Sequence, residues 1–239
     1  MTLDLARDLF GAPPDARIRH DVRGAPYLAS RSGAELPPMA SFTDEGPWSG
    51  VAWADCAEVA GIGIDLAERG EFALMERDPD LARAVFTERE LDLIGARYPE
   101  DFDLGATIVF AGKEAAFKST SHAIRRLANT DGLAGACEQA GACGQAGASE
   151  LPEELPNRRL PRDLYFEIRD FEISLAGKDG GRKSHRKSPN RLERNEFTAT
   201  GIKRFGDAER GLGILGIGTI KLRYRLVRNM VLCLAVAQR

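Results

Sequence analysis

Gly63-Ile64-Asp65-Leu66 and, about fifty residues later, Lys113-Glu114-Ala115-Ala116-Phe117-Lys118 are the runs whose residue types can do chemistry together. On a helix, Phe110, Glu114 and Lys118 are four apart and share one face, while Lys113 and Phe117 form the neighbouring row. A hard cation such as Mg²⁺ takes one or two protein carboxylates, keeps several waters and draws its remaining ligands from substrate phosphate. Asp65, at the end of an apolar run, and Glu114 supply that minimal pair. Lys118 adds positive charge where phosphate oxygens gain negative charge, and positioning with electrostatic stabilisation dominates phosphoryl transfer. On spacing alone a plainer reading stands beside this one. A Glu-to-Lys pair at i,i+4 is a common solvated feature worth about 0.2–0.5 kcal/mol, and an Asp after a strand often only ends it.

The elements that must position these residues can be read from local pattern. Val59–Leu66 is short, apolar, glycine-rich and β-branched, which predicts a buried strand delivering Asp65 to solvent or a cleft. Helical pattern follows from Glu71 to Leu93, broken at Pro79 and capped at Thr87, and a longer helix is predicted over Leu104–Ala128. Upstream, turns at Gly11–Pro14, Gly24–Pro26, Pro37-Pro38 and Gly46-Pro47 punctuate short, mostly β segments, with a strand at Gly50–Ala54. Downstream, strands are predicted near Leu164–Leu175, Glu196–Lys203, Gly216–Leu226 and Asn229–Ala237. Alternation is clearest in Ile220, Leu222, Tyr224 and Leu226. Helix followed by antiparallel strands gives an α+β arrangement. Residues 129–161 are rich in Gly, Ala, Pro and Glu and read as a mobile insertion. The expected division is a reduced N-terminal lobe over 1–58 and a C-terminal lobe over 59–239 that carries the metal site.

Composition narrows the class. With 43% hydrophobic and 29% charged residues in 239, the chain is of ordinary globular type. A net charge of -3 gives no global attraction to nucleic acid or to an anionic membrane, so neither is an expected partner. The N-terminus lacks the apolar stretch of a signal peptide and no run approaches the roughly 20 apolar residues of a membrane span, which points to the cytoplasm. Cys56, Cys137, Cys143 and Cys233 lack zinc-like spacing and are expected to be free thiols.

The two runs resemble the signatures of the 4'-phosphopantetheinyl transferase superfamily: Gly-Ile-Asp, then Phe-x-x-x-Glu, then Lys-Glu-Ala-x-x-Lys. Here they are Gly63-Ile64-Asp65, Phe86-Thr87-Glu88-Arg89-Glu90 and Lys113-Glu114-Ala115-Ala116-Phe117-Lys118. Gly61–Glu68 and Val85–Leu91 look similar to the short holo-acyl-carrier-protein synthase branch. Arg23-Gly24-Ala25-Pro26-Tyr27-Leu28 and Pro38-Met39-Ala40-Ser41-Phe42-Thr43 resemble the longer, pseudodimeric branch. The resemblance implies an α+β fold of two pseudo-symmetric lobes of antiparallel sheet packed with helices, with coenzyme A between them. It implies Mg²⁺-dependent transfer of phosphopantetheine from coenzyme A to a serine of an acyl or peptidyl carrier protein, by a chain expected to be monomeric.

By match, Asp65 and Glu114 would hold Mg²⁺, Glu114, Lys118 and Glu68 would take part in catalysis, and Glu90 would be a further acid near the site. Arg23, Lys113, Lys118, Ser41, Thr43 and Asp44 would line coenzyme A. Three features depart from the longer branch. Ala67 stands where that branch has a second acid, with Glu68 one further along. Asp44 stands where it has a phosphate-contacting histidine, and only 22 residues precede the Arg23 match. Because adjacent strand residues face opposite ways, Glu68 would point away from the metal if the strand continues. These departures leave open a relative that binds coenzyme A or a carrier protein without turnover.

Secondary features have plainer readings. Arg182, Lys183, Arg186, Lys187, Arg191 and Arg194 read as a solvated loop, with a grip on an acidic carrier helix or on the 3'-phosphate of coenzyme A as the alternative. Lys221, Arg223 and Arg225 read as a wet strand face. Phe86, Phe110, Phe117, Trp48 and Trp53 read as packing residues. His20, His122 and His185 show no ligand spacing and take surface or core roles.

Overall fold

The computed structural model describes residues 7–8, 11–20, 26–33, 35–36, 39–140, 171–175, 195–201, 212 and 215–239. Turn residues divide its first part into hairpins. β1 (Arg17–His20) pairs antiparallel with β2 (Pro26–Ala29), and β3 (Met39–Glu45) with β4 (Trp48–Ala54). Gly46, at φ 53°, takes the left-handed conformation that the tight turn between Glu45 and Trp48 requires.

β5 (Val59–Glu68) opens a five-stranded antiparallel sheet of order β5-β9-β8-β7-β6. Its other strands are β6 (Phe171–Leu175), β7 (Asn195–Gly201), β8 (Thr219–Val227) and β9 (Met230–Gln238). Between β5 and β6 lie α1 (Pro79–Val85), α2 (Glu88–Arg97) and the long α3 (Phe102–Ala140). α3 lies across one face of the sheet. Ile108, Val109, Ala111, Ala115 and Ala116 of α3 share the main core with Ile220, Leu222, Val231 and Ala235 of the strands. On the other face, Ile62 and Ile64 of β5 pack with Met39 and Ala52 of the β3–β4 hairpin. The α+β class is therefore as expected, and the strands after α3 are antiparallel as their alternation predicts. Lys221, Arg223 and Arg225 are exposed while Ile220 and Leu222 are buried.

Local chemistry explains the helix boundaries. Pro79 does not break a helix but begins α1, where its missing N–H costs nothing, and the Asp78 side chain accepts from the Asp80 and Leu81 amides. Thr87 caps α2 through a full capping box with Glu90. α3 runs beyond the predicted end at Ala128 to Ala140, so the start of the 129–161 segment is helical. Extending an existing helix through Ala, Glu and Gln needs no new nucleus, so low complexity there does not imply loop. The rest of that segment, residues 164–170, and the basic run at 182–194 lie outside the described residues.

Two packing expectations are corrected. Trp48 and Trp53 are 39% and 45% exposed rather than packed into a core, and the Arg228 guanidinium lies 5.3 Å from the Trp48 ring centroid. Cys56 and Cys233 are free, as expected. Among the described residues no helix is long and apolar enough to cross a membrane.

Candidate active site

Asp65 reaches its place because the strand that carries it has no side chains where it meets α3. A Cβ on Gly61 would lie 1.9 Å from the Ser119 carbonyl oxygen, and one on Gly63 would lie 1.9 Å from that of Ala115. Any larger residue would push strand and helix apart. Gly61, Gly63 and Asp65 form one row with a period of two, so the same face that touches the helix backbone presents the carboxylate to α3. Reading this run as merely glycine-rich missed that role; the signal was the two-residue spacing of glycines ending in an acid.

On α3, Lys118 reaches back across this contact. Its Nζ donates to Asp65 Oδ1 at 2.7 Å and to the Ile64 carbonyl at 3.2 Å. Both side chains keep slight exposure, 15% for Lys118 and 11% for Asp65. Glu114, one turn earlier on the same face, is half-buried and close enough for the Asp65 charge to act on it. Burial raises the Glu114 carboxyl above its usual range, the Asp65 charge raises it further, and Lys118 partly offsets both. Asp65 is also raised, by burial first, against the opposing pull of Lys118 and of hydrogen bonds from Thr43 and the Leu66 amide. Two carboxylates that burial makes costly to ionise, each acted on by the Lys118 charge, suit a divalent cation. Such a cation would favour both charges at once. Asp65 and Glu114 are the residues that could hold one.

More acids stand at the mouth of this site than the motifs indicate. Burial raises the Glu71 carboxyl, and the charges of Glu45, Glu68, Asp65 and Asp103 raise it further. Asp103 fixes the loop that carries Glu71 by accepting the Gly70 amide at 2.8 Å and the Phe72 amide at 3.1 Å. Arg69 ties the same loop to Asp101 at 2.7 Å. Neither Glu71 nor Glu45 had a spacing that could have revealed this, because a loop carries Glu71 and the end of β3 carries Glu45.

The other expected site residues separate. Glu68 is exposed on the opposite face of β5 from Asp65, where its Oε1 accepts from Asn229 at 3.4 Å. The one-residue offset reverses its direction, and the buried Ala67 occupies the Asp65 face instead. Lys113 does not face the cleft. At 1% exposure it donates to Glu90 Oε2 at 2.9 Å and to the Val85 carbonyl at 3.2 Å, which leaves no ammonium surface for a nucleotide phosphate. Glu90 is 0% exposed and also accepts the Thr87 and Ile173 amides, each at 2.9 Å. It joins α2, α3 and β6 rather than serving as an open acid.

Ser41 and Thr43 are likewise buried. Their hydroxyls accept the Ile64 and Leu66 amides of β5, each at 3.1 Å, and so do not line an open surface. Asp44 is exposed at the end of β3, and Arg23 lies outside the described residues. Phe86 is buried in the core beside the partly buried Phe110 and Phe117, His122 is buried and His20 exposed. Burial, with the Arg125 and Arg126 charges, holds the His122 imidazole well below its ordinary value.

One comparison with known proteins falls on the segment that carries the site. Residues 61–144 match the family model of the 4'-phosphopantetheinyl transferase superfamily. No curated protein matches the chain in sequence. Among solved structures, the holo-ACP-synthase from Plasmodium yoelii is similar at 15% identity with a TM-score of 0.41, covering 75% of this chain and 94% of that one. The segment that matches this family model contains Asp65, Glu114 and Lys118 together with the glycines that seat them.

Proposed function

We propose that the chain is a Mg²⁺-dependent 4'-phosphopantetheinyl transferase of the holo-acyl-carrier-protein synthase type, acting from coenzyme A on a serine of an acyl or peptidyl carrier protein. The observation that carries this reading is the meeting of Asp65, Glu114 and Lys118 where β5 touches α3. In the reaction the serine oxygen bonds to the pantetheine-side phosphorus of the coenzyme A pyrophosphate. The bridging P–O bond breaks and its electron pair leaves with 3',5'-ADP. Mg²⁺, when bound by Asp65 and Glu114, would supply charge neutralisation at that pyrophosphate. Asp65 and Glu114 would be the carboxylates that hold that ion, and Lys118, already 2.7 Å from Asp65, supplies an ammonium to the transferring oxygens. The serine proton leaves to a nearby carboxylate, the part in which the resemblance would place Glu114.

In this reading residues 1–58 form an N-terminal lobe and 59–239 the lobe with the metal pair, in a monomeric, cytoplasmic protein. Since Ser41, Thr43 and Lys113 have other partners, the nucleotide contacts fall to Arg23, Lys118 and the exposed strand end at Asp44. The exposed Asp44, where the longer branch carries histidine, favours a second reading in which coenzyme A is bound without turnover. The test is intact mass after incubation with Mg²⁺, coenzyme A and a panel of apo carrier proteins. A phosphopantetheine gain, abolished by chelator, is expected. Absence of gain on every carrier overturns the transferase reading, and Mg²⁺-dependent coenzyme A binding by calorimetry then identifies the second.

A further inference from the structure

β5 is the edge strand of its sheet, with β9 on one side, so amides on its other side need partners from outside the ladder. β3 lies along that edge and meets these amides with side chains. The Ser41 hydroxyl accepts the Ile64 amide and the Thr43 hydroxyl accepts the Leu66 amide, each at 3.1 Å. The two hydroxyls, two residues apart, grip two amides two residues apart. Asp65 lies between those amides.

The two hydroxyls differ in where their protons go. Thr43 Oγ1, having accepted the Leu66 amide, donates its one proton to Asp65 Oδ1 at 3.4 Å. Lys118 approaches the same Oδ1 at 2.7 Å from α3. The carboxylate is thus held from the hairpin side by a hydroxyl and from the helix side by an ammonium. Thr43 is buried and its hydroxyl is committed in both directions. We propose that Thr43 is a positioning residue for Asp65, setting the orientation in which that carboxylate meets a divalent cation, whereas Ser41 only closes the strand edge. The inference rests on the metal-dependent transfer proposed above and gives the β3–β4 hairpin a part in metal binding. Outer partners that orient a ligating carboxylate typically govern metal affinity rather than fold.

The experiment compares Thr43→Val, Thr43→Ser and Ser41→Ala in the full chain. It reads the Mg²⁺ concentration for half-maximal transfer, kcat at saturating Mg²⁺, Mn²⁺ binding by electron paramagnetic resonance, and thermal unfolding. Thr43→Val should raise the Mg²⁺ midpoint about 10- to 100-fold and weaken Mn²⁺ binding in proportion, with a smaller change in kcat. Thr43→Ser, which keeps the hydroxyl, should restore the native midpoint. Ser41→Ala should lower the unfolding temperature and leave the midpoint in place. Equal midpoint shifts in Thr43→Val and Ser41→Ala, or none in Thr43→Val, overturn the proposal. Should Thr43→Val not fold, Thr43→Ala is read in its place. If the native protein neither transfers phosphopantetheine nor binds Mn²⁺, the functional reading falls. Crystal structures of Thr43→Val and Thr43→Ser then decide the positioning, since an Asp65 side chain in the same rotamer in both overturns it and one turned only in Thr43→Val supports it.

Discussion

Lys113 and Lys118 stand five residues apart on α3, and each pairs with a carboxylate brought by a different element. Glu90 is wholly enclosed and accepts from Lys113, Thr87 and Ile173. Asp65 and Lys118 keep contact with solvent, and Glu114 beside them receives no hydrogen bond from a side chain among the described residues. Salt-bridge length does not distinguish the two, at 2.9 Å and 2.7 Å. What separates the two pairs is access to solvent, which Lys113 and Glu90 lack almost entirely and Lys118 and Asp65 keep. A saturated, buried pair resists change, because removing one partner strands a charge. A pair that water can reach can exchange its partner for an ion or a phosphate.

The comparison can be broken at its locked end first. Lys113→Met should cost about 3–5 kcal/mol in denaturant unfolding, and adding Glu90→Gln should recover part of it, since the stranded charge is gone although only one of the two acceptor oxygens remains. A stable Lys113→Met protein that has lost transfer would reverse the assignment. At the open end, Glu114→Gln should lower transfer at limiting Mg²⁺ by at least about 100-fold, the upper end of what outer partners of metal ligands cost. Its unfolding temperature should hold or rise, because it removes a carboxyl that burial disfavours.

Gly63→Ala sharpens the comparison by moving one pair and not the other. The new methyl must displace the Ala115 carbonyl or the strand. About 1–3 kcal/mol of stability should be lost by overpacking, and the Mg²⁺ midpoint should rise because Asp65 lies two residues on. The smallest effect expected is in pH. Glu114 titrates above its ordinary value when folded, so the native state holds its proton over a range in which the unfolded chain has released it. Stability of the metal-free protein should therefore be full below the ordinary carboxylate value and fall as pH rises through the raised one. Chemical unfolding across this range should show the decline in the native protein, a flatter profile in Glu114→Gln, and recovery on adding Mg²⁺.

The sequence by itself determined most of the elements and the candidate trio. Period-two alternation marks β8, Thr87 with Glu90 announces a capping box, and four-residue spacing puts Glu114 and Lys118 on one helical face. Each of these is a contact between residues near in sequence, and local pattern encodes it. The α+β class follows from the order of those elements. Tertiary structure alone decided which lysine keeps contact with solvent, since Lys113 and Lys118 are equally cationic until Glu90 and Asp65 arrive from elsewhere in the chain. It also turned Ser41 and Thr43 from expected coenzyme A contacts into partners of an exposed strand edge. The alternation of β3 says which way they point, and only the docking of the hairpin says against what. Glu71 entered the site because Asp103 holds its loop. These are long-range choices of hydrogen-bond partner, settled by which buried groups would otherwise go unsatisfied, and no spacing along the chain records them.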